Sequence, residues 1–268
     1  CCHHPTSTKI TFSTFSMKYL YRIYQLFIAA PLVALLTLLT TLLTTLGCVL
    51  GNGHFWGYYP GKCWSWLTIR ILLLPVKVEG REHLDKKQSY VFVSNHQGAF
   101  DIFLIYGFLG RNFKWMMKYQ LRKMPFIGMA CQAAHHIFVD KRGTAKIKQT
   151  YLEARQTLKD GMSLVVFPEG ARTFTGHMGD FKRGAYMLAS DLQLPVVPLT
   201  INGSFQVMPR MRDMKWVQWH PLTLTIHEPI PPKEQSPENI TATLQESYQV
   251  IMKALPTELQ GYQPNSDQ

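Results

Sequence analysis

Two residues suited to acid–base chemistry, His96 and Asp101, stand five positions apart directly after the apolar stretch 90–93. On one straight helix their side chains would point about 140° apart. We therefore expect His96 in a strand-to-helix turn and Asp101 in the first turn of the helix whose apolar pattern covers residues 102–109, so that the carboxylate reaches the imidazole. Such a carboxylate makes a neutral histidine a general base, because it fixes the tautomer and stabilises the imidazolium. No serine or cysteine in the turn has a defensible role as nucleophile, so the base would deprotonate a substrate hydroxyl directly.

A second polar cluster follows the apolar stretch 163–167. Pro168 and Gly170 predict a tight, exposed turn. This turn would present Glu169 and Arg172 at the carboxyl end of a strand, where open α/β sheets bind ligands. Arg172 suits a phosphate, which a guanidinium can bind with two hydrogen bonds. Glu169 suits a hydroxyl, or holds Arg172 in place.

Further cations lie between these two clusters. Lys118 begins a motif that continues to Gly128, and Lys141 and Arg142 follow the apolar stretch 137–139. No acidic run balances them, so they can add to an anion site. A later apolar stretch, residues 196–201, can form one wall of a pocket.

The composition favours an anionic partner. The chain has 268 residues and a formal net charge of +11, which suits an anionic membrane surface, phosphorylated substrates or nucleic acid. Its five cysteines are scattered and give no disulfide framework, which fits a reducing compartment. The run of cysteine and histidine at positions 1–4 lacks a spaced second pair, so we expect no metal site.

Residues 26–50 contain no charged residue and are long enough to cross a bilayer. Aromatic residues follow this stretch, as they do at a membrane interface. A second apolar run, residues 64–74, is interrupted by Arg70 and fits an interfacial helix or the return arm of a hairpin. Basic residues lie on both sides of the first run and do not decide its orientation. We expect a membrane-embedded two-helix element, with a buried core helix as the alternative.

The rest of the chain alternates between strand and helix patterns, which predicts an α/β fold with a mixed, mostly parallel sheet flanked by helices. The predicted strands cover residues 90–93, 163–167, 196–201 and 222–226, and a further strand ends the segment 133–139. The predicted helices cover residues 102–109, 144–158, 182–192 and 236–255. We expect four regions: a disordered or wrongly assigned leader (1–16, with Met17 as the start), membrane-associating helices (17–75), a catalytic α/β domain (76–260) and a frayed tail (261–268).

Taken together, the motifs resemble those of the glycerolipid acyltransferases. Asn95-His96-x4-Asp101, the segment 137–142, Phe167-Pro168-Glu169-Gly170-x-Arg172 and Val197-Pro198 match the four sequence blocks of that family in order. The best match is to the 1-acylglycerol-3-phosphate (lysophosphatidic acid) acyltransferases, over roughly residues 70–230. One departure is in the second block, where the family usually has arginine directly after aspartate and this chain has Lys141 and then Arg142.

The resemblance implies an activity in phospholipid biosynthesis. His96, oriented by Asp101, would deprotonate the sn-2 hydroxyl of lysophosphatidic acid, which would attack the thioester of acyl-CoA or acyl-carrier protein. The glycerol phosphate would be bound by six residues: Lys118, Lys141, Arg142, Glu169, Gly170 and Arg172. A backbone N–H near the first block would stabilise the oxyanion.

The same resemblance implies that no metal or other cofactor is needed, because the acyl thioester is a co-substrate. The two-helix element would hold the catalytic domain against an anionic membrane. The active site would face the cytoplasm, where acyl donors are found, and the membrane would be the inner membrane in a bacterium. Nucleic acid is not expected as a partner.

Several alternatives remain open at this stage. The acceptor could be glycerol 3-phosphate or another lysophospholipid. A lipid-phosphate hydrolase would use Asp101 as a nucleophile, and a non-catalytic module would bind anionic membrane or nucleic acid through its charge. Each motif alone also fits a plain structural role: a turn cap for His96 and Asp101, a surface ion pair for Glu169 and Arg172, and a solvated face for the lysines.

Overall fold

A seven-stranded β-sheet forms the centre of the computed structural model, which describes residues 17–140, 142–159, 162–210 and 216–261. Its strands are β1 (Val76–Glu79), β2 (Val91–Ser94), β3 (Phe113–Lys118), β4 (Ile137–Val139), β5 (Ser163–Val166), β6 (Val196–Asn202) and β7 (Leu222–Ile226). Their spatial order is β1-β7-β6-β2-β5-β3-β4. Neighbouring strands are parallel except β6 and β7, which are antiparallel. The prediction of a mixed, mostly parallel sheet is therefore confirmed.

Helices cover both faces of this sheet. They are α1 (Met17–Leu50), α2 (Gly53–Trp56), α3 (Tyr59–Ile71), α4 (Phe100–Phe108), α5 (Ile127–Ala133), α6 (Thr144–Lys159), α7 (Gly184–Asp191), α8 (Ser204–Val207) and α9 (Pro237–Ala254). On one face, α4 buries Leu104 and Ile105. On the other, α6, α7 and α9 bury Ala154, Leu188 and Ile251. Strands β2 and β5 are buried along their whole length between these layers, as expected for central parallel strands.

Helix α1 contains the predicted apolar stretch 26–50 and begins earlier, at Met17. In the described part of the chain it is the one helix long and apolar enough to cross a membrane, with 34 residues. Its leucines face outwards, and Leu42 and Leu50 are 54% and 82% exposed. Such a surface is suited to lipid, because a large apolar face in water is unfavourable.

Helix α3 forms most of the second predicted apolar segment and lies between α1 and α4. It meets α1 through the indole N–H of Trp64, which donates to the hydroxyl of Thr37 at 2.9 Å. Its other side packs closely on α4. At Gly107 of α4, a Cβ atom would lie 3.0 Å from the backbone nitrogen of Trp66. The two-helix element is therefore present and packs directly on the α/β domain.

A pair of hydrogen bonds also attaches α1 to the segment before β7. The side-chain amide of Gln25 donates to the carbonyl of Val217 at 2.8 Å and accepts its N–H at 3.1 Å. Gln25 is buried, as is Ala29 one turn further along the helix. The indole N–H of Trp219 donates to the carbonyl of Leu73, just after α3, at 2.9 Å. The segment before β7 thus holds both N-terminal helices.

The predicted leader (1–16) and most of the predicted tail lie outside the described residues and remain predictions. The proposed division of the chain at residues 75 and 76 also remains a prediction. Two predicted helices begin at other positions. Helix α4 starts at Phe100 rather than at residue 102, and α7 starts at Gly184 rather than at residue 182.

Candidate active site

The carboxyl ends of β2 and β5 lie side by side, because these strands are parallel neighbours. The loop after β2 contains His96, and the loop after β5 contains Glu169 and Arg172. The two loops are joined directly, since the N–H of Thr173 donates to the carbonyl of His96 at 3.1 Å. Ligands of open α/β sheets bind at this end of the strands. The two polar clusters of the sequence therefore meet at one edge of the sheet.

His96 and Asp101 are in hydrogen-bond contact, as their spacing predicted. Nδ1 of His96 lies 2.7 Å from Oδ2 of Asp101. Asp101 is completely buried in the first turn of α4, whereas 14% of the His96 side chain is exposed. The same Oδ2 accepts the N–H of Gly98 at 2.9 Å. The carboxylate accepts a hydrogen bond from the N–H of Nδ1. The lone pair of Nε2 therefore stays available to a substrate.

An aromatic stack fixes the plane of the imidazole. The ring of Phe167 lies parallel to that of His96, with 3.9 Å between centroids and 8° between planes. The buried ring of Trp115 in turn stacks on Phe167, with 5.7 Å between centroids. Stacked rings restrict rotation of the imidazole and keep its two nitrogens in their orientations. Phe167 stood in a recognised motif, but Trp115 had no signal beyond its place in an apolar stretch.

Glu169 lies beneath His96 and is not presented to solvent. It is 3% exposed. Its Oε1 accepts the N–H of His96 at 2.7 Å, and its Oε2 accepts the N–H of Gly179 at 2.9 Å. Burial raises the pKa of Glu169 to about 8. The expectation that Glu169 is exposed is therefore wrong, because both of its oxygens bind the backbone and hold the histidine loop in place. Its contact with a substrate stays a prediction.

Asn95 holds the same loop from the opposite neighbour of β2. Its amide group donates to the carbonyl of Ile201 at 2.9 Å and accepts the N–H of Ile201 at 2.8 Å. Asn95 is completely buried. The side chain of Gln97 donates to the carbonyl of Gly176 at 3.1 Å. Residues on both sides of His96 are thus fixed to separate segments of the chain, which limits movement of the base.

Two glycines permit this arrangement. A Cβ atom at Gly98 would lie 2.4 Å from the carbonyl oxygen of Ser204, so a side chain there would displace the loop. Gly170 has φ of 77°, in the left-handed region that glycine adopts without strain. This conformation confirms the tight turn predicted after β5. Gly170 shapes the turn that places Arg172, and its contact with a substrate stays a prediction.

Arg172 and Lys118 lie at the same edge of the sheet as His96. Arg172 is half-buried, and its side chain forms no salt bridge with any described residue. Lys118 ends β3, the other parallel neighbour of β5, and is exposed. Lys141 lies outside the described residues. The geometry therefore leaves Arg172 and Lys118 in positions suited to an anion.

Arg142 is engaged elsewhere. Its Nε and Nη2 donate to the two carboxylate oxygens of Asp140, at 2.9 and 2.7 Å, and its backbone N–H donates to the same group at 3.0 Å. The guanidinium lies 4.7 Å from the ring centroid of Tyr119. The hydrogen bonds from Arg142 lower the pKa of Asp140 to about 2, so the pair persists at neutral pH. A neighbouring carboxylate thus already pairs with Arg142, and a contact of Arg142 with a phosphate stays a prediction.

Known proteins that are similar to this chain are acyltransferases. Residues 75–202 match the family model described as Acyltransferase. The chain is 30% identical over 190 residues to a 1-acyl-sn-glycerol-3-phosphate acyltransferase of Chlamydomonas reinhardtii, covering 69% of this chain and 54% of the relative. It is 31% identical over 183 residues to the human 1-acyl-sn-glycerol-3-phosphate acyltransferase alpha, covering 65% and 64%. The chain thus spans between about half and two thirds of the length of these curated relatives.

The fold has a solved counterpart. The crystal structure of the 1-acyl-sn-glycerophosphate acyltransferase PlsC from Thermotoga maritima aligns with a TM-score of 0.66 and 27% identity, covering 87% of this chain and 92% of that one. The fold and the paired imidazole and carboxylate thus place the chain beside the glycerolipid acyltransferases, and His96 and Asp101 lie within the residues that match the Acyltransferase model. Within that class, the chain is similar in sequence and in fold to the 1-acyl-sn-glycerol-3-phosphate acyltransferases. This similarity and the exposed, apolar helix α1 together indicate a membrane-associated protein.

Proposed function

We propose that this protein transfers a fatty acyl group from acyl-CoA or acyl-carrier protein to the sn-2 hydroxyl of 1-acylglycerol 3-phosphate, giving phosphatidic acid. The main support is the hydrogen bond of 2.7 Å between His96 and the buried carboxylate of Asp101, beside the loop of Arg172. The names of the related proteins favour the same acceptor. Since the acyl donor is a co-substrate, we propose a reaction without a metal or bound cofactor.

In the proposed reaction, Nε2 of His96 removes the proton of the sn-2 hydroxyl while the oxygen attacks the thioester carbonyl carbon. Asp101 stabilises the imidazolium that forms. The tetrahedral intermediate then collapses as the C–S bond breaks, and the imidazolium gives its proton to the departing thiolate. The products are phosphatidic acid and a free thiol, and His96 returns to its neutral form.

The oxyanion of the intermediate requires a hydrogen-bond donor, which we assign to a backbone N–H of the histidine loop. Three N–H groups of that loop are already engaged, since that of His96 donates to Glu169, that of Gly98 to Asp101 and that of Ala99 to the carbonyl of Met208. The N–H of Gln97 has no acceptor among the described residues. Gln97 is therefore the proposed donor.

For the phosphate of the acceptor we propose Arg172, Lys118 and Lys141. A guanidinium binds a phosphate through paired hydrogen bonds, and lysines supply further positive charge. Arg172 is fixed next to the histidine loop through its neighbour Thr173. The part assigned to Lys141 rests on the sequence motif alone.

We further propose that the active site faces the cytoplasm, where acyl thioesters are made, and an anionic membrane surface. In a bacterium this membrane would be the inner membrane. The outward-facing leucines of α1 and the net charge of +11 support the membrane contact. Nucleic acid has no proposed role.

The hydrolase alternative loses its nucleophile in this geometry. Asp101 is completely buried, and its Oδ2 accepts hydrogen bonds from both His96 and Gly98. A carboxylate in such a position cannot approach a lipid phosphate without breaking these contacts. Its position is that of an orienting group behind the base.

The proposal is tested by acyl transfer with purified protein in detergent or bilayer nanodiscs. Lysophosphatidic acid and glycerol 3-phosphate are offered in parallel, each with palmitoyl-CoA and with oleoyl-CoA. We expect phosphatidic acid from the first acceptor and product at background level from the second. Preferred acylation of glycerol 3-phosphate, or release of free fatty acid or inorganic phosphate instead of transfer, would contradict the proposal.

A further inference from the structure

A second arginine, Arg210, lies beside the loop of His96, in a segment that the sequence motifs did not include. Gly98 of this loop and Pro209 form an antiparallel β-bridge. Arg210 follows Pro209 directly and is half-buried. Its backbone is therefore held next to the turn that positions the imidazole.

Arg210 also contacts the second loop of the site. Its Nη1 donates to the carbonyl of Arg172 at 2.9 Å. Its guanidinium carbon lies 4.1 Å from the ring centroid of Phe174, which is a cation–π contact. Arg172 in turn precedes Thr173, whose N–H donates to the carbonyl of His96. Each arginine is thus one residue away from a backbone contact with the histidine loop.

We propose that Arg210 is a further substrate-binding residue, which binds the phosphate monoester of the acceptor together with Arg172. This inference rests on the function proposed above. A guanidinium has five N–H donors, and Arg210 uses one of them on the Arg172 carbonyl. Among the described residues, neither arginine takes part in a salt bridge. The two guanidinium groups therefore keep N–H donors and positive charge that can bind an anion beside the histidine loop.

The chemistry of the acceptor explains why two arginines are useful. A phosphate monoester has a second pKa of about 6 and so carries nearly two negative charges at neutral pH. The proposed lysines supply positive charge, and a second guanidinium adds paired hydrogen bonds that an ammonium group cannot form. A lysophospholipid with a phosphodiester headgroup has one such charge and gains less from the second arginine. The contacts of Arg210 with Phe174 and with the Arg172 carbonyl hold its guanidinium in place before binding, which lowers the entropic cost.

Phosphates also occur in the acyl donor, because coenzyme A contains a phosphate monoester and a pyrophosphate. The two sources share one chemistry, so the experiment has to distinguish them. Steady-state kinetics do so when lysophosphatidic acid is varied at saturating oleoyl-CoA and oleoyl-CoA is then varied at saturating lysophosphatidic acid.

The variants are Arg210→Met, which removes the charge, and Arg210→Lys, which keeps it. Arg111→Met is the matched control. Arg111 also donates to a backbone carbonyl, that of Gln88, and lies over an aromatic ring, that of Tyr90, at 5.8 Å. It precedes β3 and therefore lies at the opposite end of the sheet from His96.

For Arg210→Met we expect the KM for lysophosphatidic acid to rise by about 10- to 100-fold, since a charge-assisted hydrogen bond is lost. The KM for oleoyl-CoA and the kcat should stay within about threefold of the wild-type values. Arg210→Lys should lie between Arg210→Met and wild type, because it keeps the charge and loses the planar fork. Arg111→Met should match the wild type in every parameter.

An acceptor KM in Arg210→Met equal to that of Arg111→Met would overturn the inference. A rise confined to the KM for oleoyl-CoA would assign Arg210 to the donor and overturn it as well. A loss of kcat with both KM values unchanged would mean that Arg210 only connects the two loops. If Arg210→Met does not fold, Arg210→Lys decides by the same readouts. A wild-type protein that does not acylate lysophosphatidic acid contradicts the proposed function itself.

Discussion

The turn after β2 and the turn after β4 each place a nitrogen atom 2.7 Å from a carboxylate oxygen. In the first, Nδ1 of His96 meets Asp101, and in the second, Nη2 of Arg142 meets Asp140. The histidine side chain is 14% exposed, and that of the arginine is 67% exposed. The histidine also lies in a stack of aromatic rings, whereas the arginine is at the outer edge of the sheet.

The two turns differ in which hydrogen-bonding groups of the arginine and the histidine remain available to another partner. Arg142 gives two side-chain donors and its backbone N–H to one carboxylate, so its charge is compensated at once. His96 gives only Nδ1 to Asp101 and keeps Nε2 for another partner. A short distance between opposite charges is therefore a weak sign of catalysis. Restricted exposure, a fixed ring and a free ring nitrogen are the more useful signs.

The strongest test of this comparison is His96→Ala. We expect kcat for lysophosphatidic acid to fall by at least about 10³-fold, because the reaction loses its general base. Circular dichroism and the thermal unfolding temperature should stay close to those of the wild type, since the Glu169 contact uses the backbone N–H of residue 96. Activity near the wild-type level would show that another group acts as the base.

The next test is Asp101→Asn, which keeps the size of the side chain and removes its charge. We expect kcat to fall on the order of 10²- to 10⁴-fold, because the imidazolium loses its counter-charge and the ring can take the wrong tautomer. The pH dependence of kcat should be measured together with its value. An unchanged rate would mean that Asp101 only caps α4.

A third test concerns the stability of the loop of His96. The pKa of Glu169 is raised from 4.5 to about 8, so the folded protein binds this proton more tightly than the unfolded chain does. The stabilising effect of the protonated group is complete below the unfolded pKa and is lost as the pH rises through about 8. We expect the free energy of unfolding to fall by roughly 3 kcal/mol from this group between pH 5 and pH 8.

The measurement is urea unfolding of the wild type and of Glu169→Gln at both pH values. Glutamine does not titrate, so the difference between the two proteins isolates the contribution of Glu169 from those of other groups. Parallel pH profiles for the two proteins would argue that Glu169 has an ordinary pKa.

The smallest effect is expected for Arg142→Ala, with Arg172→Ala as its matched partner. Arg142 is already bound to Asp140, so its loss should change the KM for lysophosphatidic acid by less than about threefold. Arg172→Ala should raise the same KM by about 10-fold or more and affect the KM for the thioester less. Equal effects of both variants on the acceptor KM would contradict the interpretation that Arg142 is occupied by Asp140.

The His96–Asp101 contact could be predicted because it depends on local features of the chain. A spacing of five excludes one face of a helix, and apolar stretches on either side define a strand and a helix. The order of strands and helices likewise predicted a mostly parallel sheet. The exact start of α4 at Phe100 was missed, because apolar residues do not mark a helix boundary sharply.

The environment of Glu169 could not be predicted in this way. Its partners are the backbone N–H groups of His96 and Gly179, and a backbone N–H has no signature in the sequence. Asn95 likewise binds the backbone of Ile201, which is 106 residues away in the sequence, so this contact also has no signature in the sequence. Such contacts follow from the assembled sheet rather than from residue type.

Strand β3 was missed for a different reason. Lysine residues near both of its ends interrupt the apolar pattern, and Lys118 was interpreted only as part of a cationic cluster. Lys114 is nonetheless 5% exposed, and its Nζ donates to the carbonyl of Ala134 at 2.6 Å. Burial lowers the pKa of Lys114. In a sequence, a buried lysine looks the same as one on the surface.

The paired hydrogen bonds between Gln25 and Val217 have a practical consequence for anyone who wants a water-soluble form of this enzyme. Cutting away α1 would leave the N–H and carbonyl of Val217 without partners and would uncover the core around Ala29. The apolar helix is thus a structural part of the catalytic body rather than a detachable tether. Solubilisation should accordingly proceed by replacing its outward-facing leucines and keeping Gln25.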